Sequence, residues 1–130
     1  MSPPVVSIVD DDAAVRIATT RLVRSHGFVA HGFSSAEEFL ASPYVDETSC
    51  LITDMRMPGM SGADLQRMLI AQGQRMPIIF VTAYREESRV ANVTAAGAAG
   101  FLTKPFDGKT LMHCLGEALK RANVAWPQDS

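Results

Sequence analysis

Short apolar runs alternate along the chain with longer stretches of helical period. Val5–Val9 is apolar at four of five positions, the pattern of a short buried strand. Asp12 can cap a helix that runs to about Ser25, with Val15, Ala18 and Leu22 on one stripe and Gly27 as its stop. A second strand fits 28–33. Ser34-Ser35-Ala36-Glu37 reads as a capping box that opens a helix over 37–41, closed by Pro43. A third strand fits 49–53, and Pro58 and Gly59 punctuate the loop after it. Ser61 can cap a third helix, with Leu65, Met68 and Leu69 on one face, ending at Gly73. Residues 77–82 form the plainest strand. A fourth helix fits 86–96 although Val90, Val93 and Thr94 are β-branched, and Gly97 stops it. A fifth strand fits Gly100–Thr103. Asp107 caps a last helix with the stripe Leu111, Leu115, Ala118 and Ala122.

Five strands alternating with five helices predict an α/β fold, a doubly wound parallel sheet covered on both faces. At 130 residues the chain has room for one domain with its own core. Apolar residues make up 47% and charged residues 20%, a globular balance that argues against disorder. The formal net charge of -2 argues against a basic grip on nucleic acid. No apolar run reaches the ~18 residues of a membrane span, and Met1-Ser2-Pro3-Pro4 lacks the basic start of a signal peptide. A cytoplasmic protein is expected. Cys50 and Cys114 lie in apolar surroundings without a CxxC spacing and read as small buried thiols. His26, His31 and His113 lack metal-ligand spacing and read as surface or helix-flank residues. Residues 1–123 read as the domain, and 124–130 as a tail or the start of a linker.

Ligands of open parallel sheets bind outside the carboxyl ends of the strands. Those ends carry Asp10, Asp11 and Asp12 after strand one, Asp54 after strand three, Thr82 after strand four and Lys104 after strand five. Singly, each has an ordinary explanation. Asp12 is foremost a helix cap, Asp54 can begin an Asx-turn, and Lys104 can be a solvated loop residue. Together they differ, because like charges ~5 Å apart at an effective dielectric near 20 cost about 3 kcal/mol. Such a cluster implies a cation, and an all-oxygen ligand set suggests Mg2+ before Ca2+. Acid, hard metal, lysine and hydroxyl are the parts of a phosphoryl-transfer site, in which a carboxylate can be the acceptor.

Four stretches carry a resemblance: Val9-Asp10-Asp11-Asp12, Thr53-Asp54-Met55-Arg56-Met57-Pro58-Gly59-Met60-Ser61-Gly62, Phe80-Val81-Thr82-Ala83, and Phe101-Leu102-Thr103-Lys104-Pro105-Phe106. From about Val5 to Ala122 the chain resembles the receiver domain of two-component response regulators, and its wording after Asp54 is most similar to the FixJ-type subgroup. The resemblance implies a flavodoxin-like (βα)5 fold with strand order 2-1-3-4-5. It implies Asp54 as phospho-acceptor from a sensor histidine kinase. Mg2+ would be held by Asp11, Asp54 and the backbone carbonyl of Arg56, with Asp10 acting through water. Thr82 and Lys104 would contact the phosphoryl group, and Phe101 would be the aromatic switch residue. The bond between Lys104 and Pro105 would be cis. Arg56 and Tyr84 would tune phosphoryl lifetime. Helix four, strand five and helix five would form the output face, with a possible phosphorylation-dependent homodimer and a DNA-binding output domain outside this chain.

The physics of a switch stands beside the resemblance. Phosphorylation adds about -1.5 to -2 charge and new acceptor oxygens, which give Thr82 and Lys104 a partner and bias two packings of nearby elements. The small residues of 94–100 suit either that movement or close helix–sheet packing. Met55, Met57 and Met60 read as packing side chains. Three other readings compete. Asp10-x-Asp12 resembles the first motif of aspartate-nucleophile phosphatases of the haloacid-dehalogenase type. That reading leaves Asp54 without a role and finds no paired acids beyond Lys104. A flavin mononucleotide carrier would have its phosphate repelled by three acids after strand one. A receiver-like module that binds partners without phosphorylation is disfavoured, because every site position is intact.

Overall fold

The structure, a computed structural model, describes residues 3–83 and 87–122. The elements are β1 (Val5–Val9), α1 (Ala13–Ser25), β2 (Val29–Phe33), α2 (Ala36–Leu40), β3 (Cys50–Asp54), α3 (Gly62–Ala71), β4 (Ile78–Thr82), α4 (Glu87–Ala95), β5 (Gly100–Thr103) and α5 (Gly108–Arg121). All pairings are parallel, in the order β2-β1-β3-β4-β5. The expected doubly wound architecture is therefore present.

Residue alternation along the strands separates two cores. Val6, Ile8, Cys50, Ile52, Ile79 and Val81 face a layer containing Val23 of α1 and Leu111, Leu115, Ala118 and Leu119 of α5. Val9, Leu51, Ile78 and Phe80 face Phe39 of α2, Leu65 and Leu69 of α3, and Val93 of α4. β3 and β4 are buried along their whole length, which explains their near-continuous apolar runs.

The caps are local chemistry. The Asp12 carboxylate accepts from the backbone N–H groups of Ala14 and Val15, and Asp107 accepts from that of Thr110. Ser61 and Asp64 form a reciprocal capping box at α3. The capping box expected at Ser34 does not form. Ser35 is the cap and accepts from the Glu38 N–H, while the Glu38 carboxylate accepts from the Ser34 N–H and hydroxyl. Glu37 is thereby free to reach Met60, whose backbone N–H it accepts at 3.3 Å.

The expected stripes hold for most of α3 and α5, where Leu65, Leu69, Leu111, Leu115 and Ala118 are buried, and shift elsewhere. α1 buries Thr19, Thr20 and Val23, and Thr19 joins Val15, Ala18 and Leu22 in lining a groove of about 470 Å³ against Lys104, Pro105, Phe106 and Gly108, with Leu22 also packed on the first core. α3 buries Gln66 beside Leu65 and Leu69 and leaves Met68 exposed. Leu119, not Ala122, completes the buried face of α5. In each case a helix presents a face whose edges are set by the neighbour it meets, and sequence period alone does not locate those edges. His31 also departs from expectation. It lies half-buried in β2 and stacks on Tyr44, with ring centroids 3.8 Å apart. Burial raises the thiol pKa of both Cys50 and Cys114, which disfavours the reactive thiolate. Among the described residues no helix is long and apolar enough to cross a membrane.

Candidate functional site

The site assembles at the carboxyl edge of the sheet because β1, β3 and β4 end together. The backbone N–H of Asp10 donates to Phe33 of β2 at 3.1 Å, so the chain leaves β1 still tied to its neighbour. The Oδ1 of Asp10 accepts from the Asp12 N–H at 2.9 Å, which folds the three-acid run into a tight turn. That turn sorts the acids. Asp10 is buried, Asp11 is exposed above it, and Asp12 is turned into the cap of α1.

Asp54 is the last residue of β3, paired with Val81 of β4 and only 7% exposed. Its neighbour Met55 donates its N–H to the Val81 carbonyl at 2.8 Å, which carries the sheet ladder one residue past the acid. The close approach of α3 completes the seat. A Cβ on Gly62 would stand 2.4 Å from the Asp54 carbonyl oxygen and 3.1 Å from the Met55 Cα. Glycine here is a requirement of packing and not of helix propensity, which disfavours it.

Lys104 follows β5, and its backbone N–H donates to the Thr82 carbonyl at 2.8 Å. The peptide bond between Lys104 and Pro105 is cis. The Lys104 Nζ stands 3.1 Å from Asp10 Oδ2 and 3.2 Å from Asp54 Oδ2. Asp10, Asp11 and Asp54 each offer an oxygen within 4.8 Å of the others, the one such group of potential metal ligands among the described residues. Two buried carboxylates thus share one ammonium, with the exposed Asp11 beside them.

The electrostatics follow. Burial pushes the Asp54 carboxyl above its ordinary value, and the charge of Asp10 adds to the rise. Lys104 and the Arg56 N–H pull only partly against them. For Lys104, burial pulls the ammonium down, but the hydrogen bond to Asp10 and the charges of Asp54 and Asp10 outweigh it. Its pKa ends above the usual lysine value. Among the described contacts, the two buried acids share the one ammonium of Lys104. The donors of the acid cluster are all oxygens, the chemistry that suits a small hard divalent cation.

Thr82 is buried at the end of β4, where it pairs with Thr103 of β5, and Phe101, half-buried in β5, pairs with Phe80 two residues before Thr82. The Phe101 and Phe80 rings stack with centroids 5.9 Å apart. Arg56 is exposed two residues past Asp54, and its N–H reaches the Asp54 Oδ1 at 3.5 Å. Tyr84 lies outside the described residues. Met55 is buried, and Met57 and Met60 pack on the second core. Two contributors had no role in the sequence reading. Gly62 was legible only as part of a motif. Arg16 of α1, which donates to the Asp10 carbonyl at 2.9 Å, left no mark in the helical pattern.

The orientation of Asp12 also counts against the phosphatase reading. That reading needs Asp12 beside Asp10, yet its carboxylate is occupied at the α1 N-terminus and Asp54 takes its place in the cluster.

Comparison with known proteins agrees with this geometry. The family profile of the response regulator receiver domain matches residues 6–115. The response regulator protein TodT of Pseudomonas putida F1 is 43% identical over 118 residues, covering 91% of this chain and 52% of TodT. The transcriptional regulatory protein FixJ of Azorhizobium caulinodans is 35% identical over 117 residues, covering 90% of this chain and 56% of FixJ. The chain thus spans about half the length of the curated relatives it matches. The crystal structure of FixJ-N superposes with a TM-score of 0.81 at 32% identity, covering 92% of this chain and 96% of that one. With the matched profile, the shared strand order and the acid–lysine edge in agreement, the chain belongs to the response regulator receiver domains of two-component signalling systems.

Proposed function

We propose that this domain is a Mg2+-dependent phosphorylation switch whose acceptor is Asp54. The observation that carries the reading is the Lys104 ammonium bridging buried Asp10 and Asp54, with Asp11 beside them. An Asp54 carboxylate oxygen attacks the phosphorus of a phosphohistidine on a sensor histidine kinase. The P–O bond forms as the P–N bond breaks, and the imidazole nitrogen keeps the electron pair and later takes a proton. Bound Mg2+, held by Asp11, Asp54 and the Arg56 carbonyl with Asp10 acting through water, would neutralise charge on the phosphoryl oxygens. Lys104 pairs with one of those oxygens and the Thr82 hydroxyl donates to another. Hydrolysis of the acyl phosphate resets the switch, at a rate set partly by Arg56 and Tyr84.

The signal leaves through α4, β5 and α5. Thr82 moves toward the new oxygens and Phe101 follows, because their backbones are joined through the Lys104 to Thr82 hydrogen bond and the β4–β5 register. The domain takes up residues 1–123, with 124–130 as a tail or the start of a linker and a DNA-binding output domain outside this chain. Phosphorylation-dependent pairing of two receivers on the output face delivers the signal in the cytoplasm. The catalysis is confined to the domain's own phosphorylation and dephosphorylation.

The test is incubation with Mg2+ and acetyl phosphate followed by intact-mass measurement. The wild-type chain gains one phosphoryl group and Asp54→Asn gains none. An adduct that survives in Asp54→Asn but disappears in Asp10→Asn returns the phosphatase reading. No Mg2+-dependent adduct on any variant leaves a binding module that works without phosphorylation.

A further inference from the structure

Arg16 stands where helix chemistry gives it no reason to be. It lies in the opening turns of α1, where the backbone dipole favours acids, and that first turn holds none. Its side chain is half-buried, and its Nη1–H donates to the Asp10 carbonyl at 2.9 Å. Asp10 is otherwise held by its N–H on Phe33, by its Oδ1 on the Asp12 N–H and by its carboxylate on the Lys104 ammonium. The arginine therefore takes the remaining backbone group of the residue that begins the acid run.

The strand beside it leaves a path for the side chain. Gly32 of β2 faces the arginine stem, and a Cβ there would stand 3.2 Å from Arg16 Cγ and 3.4 Å from Cδ. The Thr20 hydroxyl, also 3.2 Å from that point, donates to the Arg16 carbonyl at 2.7 Å and keeps this turn of α1 in place. Because a peptide unit is planar, holding the Asp10 carbonyl also fixes the direction in which the chain enters Asp11. Asp11 is exposed and yet contributes an oxygen to the three-acid cluster.

We infer that Arg16 is a positioning residue for the cation site, holding the peptide between Asp10 and Asp11 so that both carboxylates stay turned toward Asp54. The inference rests on the phosphorylation-switch reading above, in which these acids hold Mg2+. Charge alone would give the opposite result, because a nearby guanidinium repels a divalent cation and its removal would tighten binding. The sign of the change therefore separates positioning from simple electrostatics.

The experiment is a titration of the full 130-residue chain with MgCl2 at constant ionic strength, followed by two-dimensional amide NMR. Arg16→Met keeps the apolar stem and removes the donor. Its Mg2+ dissociation constant should rise about tenfold, as for other groups that orient metal ligands. The Asp11 and Asp12 amides should already be displaced before Mg2+ is added. Arg16→Lys should recover part of the affinity, because an ammonium can still donate to the carbonyl. Gly32→Val, which pushes the arginine aside without removing its charge, should weaken binding in the same direction, and this holds even if Arg16→Met fails to fold. Unchanged or tighter Mg2+ binding in Arg16→Met, or unchanged binding in Gly32→Val, overturns the inference while the switch reading stands. A wild-type chain that does not bind Mg2+ overturns both.

Discussion

Two buried polar groups lie three residues apart in the same stretch of chain, and they behave differently. Ser7, inside β1, shares a 2.7 Å hydrogen bond with Thr48, whose hydroxyl donates to the Tyr44 carbonyl at 2.7 Å. That network is neutral and closed. Asp10, just past β1, shares a single ammonium with Asp54 while Asp11 stands beside them. That network is charged, with two buried carboxylates on one ammonium. The first has nothing to gain from a ligand and serves the fold. The second is stabilised by an added cation and is changed by an added anion, which is what a switch requires. Burial of polar groups does not distinguish the two, whereas charge balance does.

The sharpest way to break the contrast is to remove Lys104. Lys104→Met leaves Asp10 and Asp54 buried without their ammonium, and unfolding free energy in Mg2+-free urea titrations should fall by about 3–5 kcal/mol. Added MgCl2 should restore much of that loss. Gly62→Ala should come next, at about 1–3 kcal/mol, because its Cβ meets backbone rather than a movable side chain. The same variant should slow acetyl-phosphate labelling of Asp54, since the displaced atoms include the acceptor's own carbonyl. Ser7→Ala should cost about 1 kcal/mol, with labelling kinetics and Mg2+ response unchanged, because Thr48 keeps its bond to Tyr44. Equal damage to labelling from Ser7→Ala and Gly62→Ala would erase the distinction between the two networks.

The smallest effect should have the opposite sign. Burial and the charge of Asp10 raise the Asp54 pKa in the folded protein. Ionising Asp54 therefore works against folding, and that penalty is absent below the ordinary carboxyl pKa near 3.9 and grows as pH rises through the folded value. Asp54→Asn should raise the melting temperature in Mg2+-free buffer at pH 7. The advantage over wild type should shrink as pH falls toward 4. A variant that melts lower than wild type at pH 7 would mean that Lys104 more than compensates the buried charge.

Much of this was legible before the fold was known. The alternating strand runs, the caps at Asp12, Ser61 and Asp107, and acids and a lysine at strand ends all rest on local chemistry, which does not depend on distant contacts. The capping box at Ser34 did not form because adjacent serines compete for one role, and the geometry of the turn chooses between them. Gly62 stayed silent because its constraint is the carbonyl of a residue on another element.

The sequence by itself determined which segments become strands and helices, and that Asp10, Asp11, Asp54, Thr82 and Lys104 come to one edge of a parallel sheet. Only the tertiary structure decided how the acids divide their work, with Asp10 inward, Asp11 outward and Asp12 in a cap. It alone decided that α1 rests on Thr19, Thr20 and Val23 while its predicted stripe borders a groove. Periodicity and capping depend on a residue's own neighbours in the chain. The rotation of a helix and the partner of a charge depend on atoms that the chain brings close only by folding.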